Sequence, residues 1–274
     1  KGVSVFGGVQ VFQILINLVR GKFVALFLGP EGMGIASLFT TSSTTLQRLS
    51  SLGLNLAIVK ETAERSEDES ALAVVKGVAS RLVTFTSLLG ALVCFIAAPW
   101  LSRLSFGTDS YRWQFMLLAV AVFFSVAGAG KLSLLQGLHE VKRLSKASVV
   151  GALTGLLGGV PLYYFFGTAG IVPAMIVLAV AMWGFYSWQL RKSVSLPSVK
   201  FTRREHGPLA KKLIALGLVL MASDLIGSLC NYLLNVYLRS EGSYDSVGLY
   251  QAANSLTNQY TNLVFAAMSL ITMS

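Results

Sequence analysis

Eight long apolar stretches limit what this chain can fold into more than any other feature of its sequence. Crossing about 30 Å of hydrocarbon takes about 20 helical residues. Only 12% of the 274 residues are charged, about half of the roughly 25% that is typical of soluble domains. The sequence therefore predicts an all-α, polytopic membrane bundle with eight transmembrane helices. The predicted spans are 4–28, 33–56, 77–99, 113–135, 147–166, 170–190, 211–238 and 247–272.

Basic residues are unevenly distributed among the connections between these spans. Twelve lysines and arginines lie in the N-terminal segment and in the connections on its side, and Lys131, Lys211 and Lys212 lie near the ends of spans on that side, which makes fifteen. The opposite side holds only Arg103, Arg112 and Arg239. This bias predicts a cytoplasmic N-terminus. The net charge of +10 does not indicate nucleic-acid binding, because the basic residues are spread over short loops and form no patch on a hydrophilic body.

The polar segment 191–210 divides the predicted spans into two groups. It carries Pro197, Pro208 and a basic cluster, which is typical of a linker. We expect a six-helix lobe at 1–190, a cytoplasmic linker at 191–210, and the first two helices of a second lobe at 211–274. The acidic loop 60–70 is predicted to be the solvated face of a helical hairpin.

Residues that carry catalytic or metal chemistry are sparse. No Gly-x-x-x-x-Gly-Lys-Ser/Thr motif for nucleotide phosphates occurs. His139 and His206 lie in predicted loops without a Cys or carboxylate cluster at ligand spacing. Cys94 and Cys230 lie in separate apolar stretches and are predicted to be packing residues. We therefore expect no catalytic residue, metal or cofactor, and favour movement of a solute over enzymatic chemistry.

Polar side chains recur at helical spacing on four of the spans, the first, second, seventh and eighth. Such a stripe indicates a helix face turned towards water or protein, because lipid offers polar groups no partner. Each stripe alone has an alternative explanation as an interhelical hydrogen-bond seam. Together, on two spans from each side of the linker, they predict one aqueous cavity between two lobes. The stripes are Gln10, Gln13, Asn17 and Arg20; Ser37, Thr41, Thr44 and Arg48; Asp224, Ser228, Asn231 and Asn235; and Gln251, Asn254, Ser255, Asn258 and Asn262.

Charged residues within the spans indicate which solute the cavity takes. Arg20 lies ten residues from Pro30, about 15 Å along a helix, on the same face as Asn17, so we place it in the cavity. Lys22 points about 200° away from Arg20 around the helix axis. Its side chain therefore extends outward to the headgroups, packs on another helix or, as the alternative, reaches the cavity. Arg48 and Arg81 lie near the inner ends of their spans. Their side chains are long enough to reach the lipid headgroups there, which is an equal alternative to a position in the cavity. This excess of cations favours an anionic solute, and a guanidinium binds phosphate bidentately.

Asp224 is the one acid within the predicted spans. Three roles are open to it. It pairs with a cavity arginine, carries a coupling proton or cation, or completes a hydrogen-bond seam.

The second and eighth spans begin alike. Gly34-Ile35-Ala36-Ser37-Leu38-Phe39 and Gly248-Leu249-Tyr250-Gln251-Ala252-Ala253 are 214 residues apart, and each follows a polar turn. Weak internal repetition of this kind is typical of two-lobed transporters.

Several junctions resemble those of bacterial polysaccharide flippases. They are Gly21-Lys22-Phe23 leading to Leu28-Gly29-Pro30-Glu31-Gly32-Met33-Gly34-Ile35, Gly53-Leu54 leading to Lys60, and Tyr244-Asp245-Ser246-Val247-Gly248-Leu249-Tyr250-Gln251. The chain is most similar to the O-antigen and enterobacterial-common-antigen type of lipid-linked oligosaccharide flippase. That type belongs to the multidrug/oligosaccharidyl-lipid/polysaccharide exporter superfamily.

This resemblance implies a V-shaped, two-lobed transporter in the bacterial inner membrane, with helices one, two, seven and eight around a central cavity. It implies translocation of an undecaprenyl-diphosphate-linked glycan by alternating access, for surface polysaccharide biosynthesis. Membrane lipids, a polysaccharide polymerase and a chain-length regulator are the implied partners. Family members have twelve or more helices, so we expect a truncated second lobe, with helices following Ser274. Because the sequence opens with Lys1 and not with Met, we also expect residues preceding Lys1.

By position, Arg20 and Lys22 match basic sites in the first helix of these flippases, whereas Arg48 and Arg81 have no clear match. Two alternatives to the flippase remain open. A cation-coupled multidrug-type antiporter of the same fold needs at least two cavity carboxylates, and a non-transporting membrane scaffold subunit needs none. The candidate substrate-binding residues are Arg20, Lys22, Arg48, Arg81, Asn17, Gln13, Thr41, Asn231, Asn254 and Asn258, with Asp224 as the candidate for ion coupling or charge pairing.

Overall fold

Within residues 2–66, 68–193 and 203–271, which the computed structural model describes, the chain forms eight α-helices and no strand. This confirms the predicted all-α class. A short 3-10 helix, Gly167–Gly170, joins the fifth and sixth α-helices. The α-helices are α1 (Gly2–Ser51), α2 (Leu54–Glu64), α3 (Glu69–Phe106), α4 (Arg112–Gly137), α5 (Val141–Phe166), α6 (Ile171–Ser193), α7 (Arg203–Glu241) and α8 (Tyr244–Ile271).

Four stretches of the described residues are long and apolar enough to cross a membrane. They are Ile14–Ser51, Glu69–Phe106, Arg112–Gly137 and Lys142–Ser193. The first overlaps two of the predicted spans and the last contains two, so these four stretches correspond to the first six. The remaining two predicted spans lie in α7 and α8, whose 39 and 28 residues exceed the length that a bilayer requires.

A kink at Gly29 separates the two predicted spans within α1. Gly29 has φ 67° and ψ −174°, a conformation that residues with a Cβ rarely adopt. Pro30 follows it and begins the second half of α1, where its missing N–H has no partner to lose. The Gly-Pro pair therefore makes a sharp change of direction without a connecting loop.

Apolar side chains form two core clusters. One is aromatic: the Phe39 ring centroid lies 5.0 Å from that of Phe106 and 5.1 Å from that of Phe115. Cys94 belongs to this cluster, and its thiol donates to the Phe115 carbonyl at 3.5 Å. Cys230 is exposed, so the packing role predicted for both cysteines fits only the first. The second cluster includes Leu213 of α7 and therefore packs that helix against α2 and α3.

Two glycines of the internal repeat meet where α1 and α8 cross. A Cβ at Gly34 would overlap the carbonyl oxygen of Tyr244, and a Cβ at Gly248 would overlap that of Pro30. The two helices therefore touch backbone to backbone, which only glycine permits. The repeated glycines are explained by this close approach.

We expect Gly34→Ala to destabilise the fold by about 1–3 kcal/mol, the usual cost of overpacking. Gly227 is the matched control, since a Cβ there meets nothing within 4 Å. Gly227→Ala should be neutral or stabilising by up to about 1 kcal/mol, because alanine favours helix over glycine. Unfolding of the two purified variants in mixed micelles measures the difference. Equal stabilities would show that the crossing tolerates a side chain.

A second close crossing joins α7 to the end of α1. A Cβ at Gly53 would overlap the carbonyl oxygen of Gly217. Nearby, Glu61 of α2 is buried, with its side chain 1% exposed. Its Oε1 lies 2.6 Å from Nη2 of Arg65, and its Oε2 lies 2.8 Å from Nζ of Lys212.

The prediction that the acidic loop 60–70 is a solvated face is therefore wrong for Glu61. Its neighbours Glu64, Asp68 and Glu69 are exposed as expected. Asp68 caps α3 by accepting hydrogen bonds from the backbone N–H groups of Ser70 and Ala71. A hydrogen bond from the Ser70 hydroxyl at 2.7 Å, together with these two backbone bonds, lowers the pKa of its carboxyl. Glu61 differs because α7 packs over it, a contact across 151 residues of sequence that a local pattern does not contain.

The predicted linker at 191–210 is only partly described. α6 ends at Ser193 and α7 begins at Arg203, within the predicted linker. Residues 194–202 lie outside the described part of the chain. The division into lobes at 1–190 and 211–274 stays a prediction.

Candidate functional site

A central cavity of about 380 Å³ lies between α1, α5, α6 and α8. Both halves of α1 contribute to its wall. Arg20 is the one charged residue in the described lining. The other polar lining residues are Asn17, Ser37, Thr40, Tyr163, Gln251, Ser255 and Asn258.

Tyr163 of α5 holds the Arg20 side chain at the cavity wall. Nη2 of Arg20 donates to the Tyr163 hydroxyl at 3.4 Å. Tyr163 is only 3% exposed, so its ring is fixed by packing, whereas Arg20 stays partly accessible. This leaves further guanidinium N–H groups for a ligand, because arginine carries five donors.

A second cavity of about 320 Å³ lies between α1, α4 and α6. It shares Arg20, Thr40 and Met175 with the central cavity. Arg20 therefore stands between the two spaces. The α1 wall of the second cavity is polar, and the wall formed by α4 and α6 is mostly apolar. The polar wall consists of Thr40, Ser43, Thr44 and Gln47, and the apolar wall includes Phe124, Leu178 and Met182.

The structure brings three of the predicted binding residues together. Asn17, Arg20 and Asn258 all line the central cavity. Three predicted cations are placed elsewhere: Lys22, Arg48 and Arg81 are exposed and belong to neither cavity lining. Their roles in binding stay predictions.

The polar face of α1 beyond the kink differs from the predicted one by about one residue. Thr41 is buried, and its hydroxyl donates to the Ser37 carbonyl of its own helix at 2.8 Å. Thr40 lines both cavities instead. Helical spacing fits the predicted set and the set Ser37, Thr40, Thr44 and Gln47 equally well. Periodicity alone therefore did not distinguish these two faces of the helix.

The polar residues of α7 make a seam between helices. Asn235 is fully buried; it accepts a hydrogen bond from the Ser37 hydroxyl at 3.3 Å and donates to Asn231 Oδ1 at 2.9 Å. Neither Asn231 nor Asn254 is in a described cavity lining. For α7 the described contacts therefore match the alternative explanation, a hydrogen-bond seam.

Two predicted residues, Gln13 and Asp224, have side chains outside the described part of the structure. Their roles stay predictions. Sequence reasoning also missed Tyr163, which lies in a predominantly apolar span without a polar stripe. That span also holds Ser148, Thr154 and Tyr164, so no local signal separates Tyr163 from the other hydroxyl residues. Within the described residues, no group of three or more His, Cys, Asp or Glu side chains comes together as a metal site would require.

Comparison with known proteins places the chain beside membrane transporters. A family model described as polysaccharide biosynthesis protein matches residues 1–272. The chain is 26% identical over 264 residues to a Lipid III flippase of Escherichia coli (strain K12), and it covers 62% of that protein's length. It therefore spans less than two thirds of the curated relative, which in turn matches 94% of this chain.

Solved structures show the same fold. The MATE multidrug transporter DinF-BH superposes with a TM-score of 0.78 at 18% identity, over 97% of this chain and 62% of that one. A MOP superfamily transporter from Pyrococcus furiosus superposes with a TM-score of 0.70 at 21% identity, over 97% of this chain and 61% of that one. Identities this low establish the helical architecture alone.

Proposed function

Because the chain belongs to the polysaccharide biosynthesis protein family, we propose that the protein it forms part of moves a lipid-linked oligosaccharide across a bacterial membrane. The family membership confirms the resemblance seen in the Gly-Pro-Glu-Gly junction. The observation that carries the proposal is the position of Arg20, a cation in the wall between two cavities whose described linings contain no carboxylate.

The chemistry of the central cavity suits a diphosphate that carries sugars. A partly dehydrated guanidinium binds phosphate oxygens through short, charge-assisted hydrogen bonds. Asn17, Gln251 and Asn258 offer amide groups, which both donate to and accept from sugar hydroxyls. We assign the diphosphate to Arg20 and the first sugars to these amides, and the isoprenoid chain stays in the surrounding lipid.

The chain is a multi-pass membrane protein. We propose that it lies in the bacterial inner membrane with its N-terminus cytoplasmic, since fifteen basic residues against three favour that orientation. Substrate then enters from the cytoplasmic side and leaves outward by alternating access. We further propose transport without chemical change of the substrate, and a polysaccharide polymerase and a chain-length regulator as partners of the full-length protein.

The charge of the cavity separates this proposal from its closest rival. A cation-coupled multidrug antiporter requires carboxylates where its substrate binds, but the described linings hold one arginine and no acid. The likeness to multidrug transporters is one of fold only. A scaffold subunit, the second rival, has no need of a half-buried arginine held by a buried tyrosine.

Reconstitution of the full-length protein in liposomes tests the proposal. The substrate is a fluorescent undecaprenyl-diphosphate oligosaccharide placed in both leaflets, and an impermeant quencher reports arrival in the outer leaflet. We expect arrival at least about tenfold faster than in protein-free liposomes. A cationic dye under an imposed proton gradient is the parallel measurement. Dye movement without glycan movement would favour the antiporter, and movement of neither would favour the scaffold.

A further inference from the structure

A third pocket, of about 200 Å³, opens between α3, α4 and α6. It shares no lining residue with the two cavities described above. Ser80 and Thr84 of α3, Lys131 of α4 and Trp183 of α6 supply its polar and aromatic groups. The pocket is therefore a separate feature of the first lobe.

Lys131 places a positive charge in this pocket without a matching acid. Its side chain is half-buried, and its Nζ lies 5.2 Å from the centroid of the Trp183 ring. Arg191 and Lys76 are near enough for their charges to act on it. In the described part of the chain, no carboxylate lies within ion-pair distance of Lys131. A partly buried cation of this kind is stabilised most by an anion that binds beside it in the pocket.

The mouth of the pocket faces the lipid side of the lobe. Ser80 and Thr84 are exposed, and the next residues along that face of α3, Phe85 and Leu88, are 64% and 62% exposed. Large apolar side chains at this exposure contact acyl chains in a protein that spans a membrane. By the charge bias of the sequence, this end of the lobe is predicted to be cytoplasmic.

We propose that this pocket binds the phosphate of an anionic phospholipid from the cytoplasmic leaflet. Basic pockets between transmembrane helices on that side are suited to such headgroups. The Lys131 ammonium pairs with the phosphate, and the Ser80 hydroxyl, which makes no hydrogen bond to the described residues, donates to one of its oxygens. The Thr84 hydroxyl already donates to the Ser80 carbonyl at 2.7 Å. The acyl chains lie along Phe85 and Leu88.

Native mass spectrometry of the full-length protein with phosphatidylglycerol and phosphatidylcholine tests this site. We expect Lys131→Gln to weaken the retention of phosphatidylglycerol at least tenfold and to leave phosphatidylcholine unchanged. Lys146→Gln is the matched control, because Lys146 is exposed and its loss changes the net charge equally. Phosphatidylglycerol affinity of Lys131→Gln within twofold of this control would overturn the proposal.

A second variant and a competition experiment complete the test. Ser80→Leu leaves Lys131 in place, removes the hydroxyl and fills the mouth of the pocket; it should weaken phosphatidylglycerol binding at least threefold. If Lys131→Gln does not fold, the variant at the exposed position Ser80 tests the proposal instead. Unchanged phosphatidylglycerol binding by Ser80→Leu overturns the proposal. Inorganic phosphate at millimolar concentration should not displace the lipid. Complete displacement would identify a soluble-anion site and overturn the lipid assignment.

Discussion

Arg20→Ala in the full-length protein should stop glycan translocation almost completely. We expect a rate at least about 30-fold lower than that of the wild type. Truncating one partner of a buried, hydrogen-bonded charge pair costs at least about 2 kcal/mol, and about 1.4 kcal/mol is a factor of ten. Arg20→Lys should keep a measurable part of the rate, because it preserves the charge and loses only the bidentate geometry.

Translocation of the fluorescent glycan in liposomes measures this effect at matched protein content. Arg112→Ala is the control, since Arg112 is exposed at the start of α4 and belongs to neither cavity. Lys22→Ala should reduce the rate by less than Arg20→Ala, because Lys22 is outside both cavity linings. A wild-type rate for Arg20→Ala would remove the diphosphate role assigned to Arg20.

Removing both cations from Glu61 should destabilise the protein more than any other change considered. In the double variant Arg65→Ala/Lys212→Ala, the 1% exposed carboxylate of Glu61 loses the two ion-pair partners that the described residues supply. Leaving a buried charge without compensation costs about 3–5 kcal/mol. Lys212→Ala alone should cost less, because Nη2 of Arg65 still lies 2.6 Å from the Glu61 Oε1.

Unfolding of the purified variants in mixed micelles measures these costs. Lys211→Ala is the matched control, since Lys211 is the exposed neighbour of Lys212 on α7. Adding Glu61→Gln to the double variant should restore most of the lost stability, because it removes the uncompensated charge. If the double variant is as stable as Lys211→Ala, the ion pairs between α2 and α7 contribute nothing to holding these helices together.

The helices were predictable because a bilayer imposes a length and a composition on each of them. Apolar runs of about 20 residues mark helices whatever they pack against. The first break was also local, because Gly29-Pro30 sets the kink in α1 between the first two predicted spans. The second break was not predicted: the span 33–56 runs through Leu52 and Gly53, where backbone φ angles of 47° and 66° end α1. Helix ends were less predictable, since α3 extends from Glu69 to Phe106, beyond both ends of its predicted span.

The cavity was predictable only in part. Periodicity placed Asn17, Arg20 and Asn258 on helix faces that line the central cavity, because each belongs to a stripe that spans several helical turns. It did not find Tyr163, which comes from a span without a stripe. It also placed Asn231 beside the cavity, whereas Asn231 accepts a hydrogen bond from Asn235 of the same helix, and Asn235 in turn joins α7 to Ser37 of α1.

The sequence by itself determined the class of the protein, the number and order of its predicted spans, and the excess of cations over acids within them. These properties depend on composition and on contacts a few residues apart, which the chain carries locally. The tertiary structure alone decided that Arg20 stands between two cavities, that Glu61 is buried and that Gly34 touches Tyr244. Each of these depends on which helices pack together, over separations of 143, 151 and 210 residues. The sequence of a helix shows where its polar residues lie, but it does not show which helix packs against them.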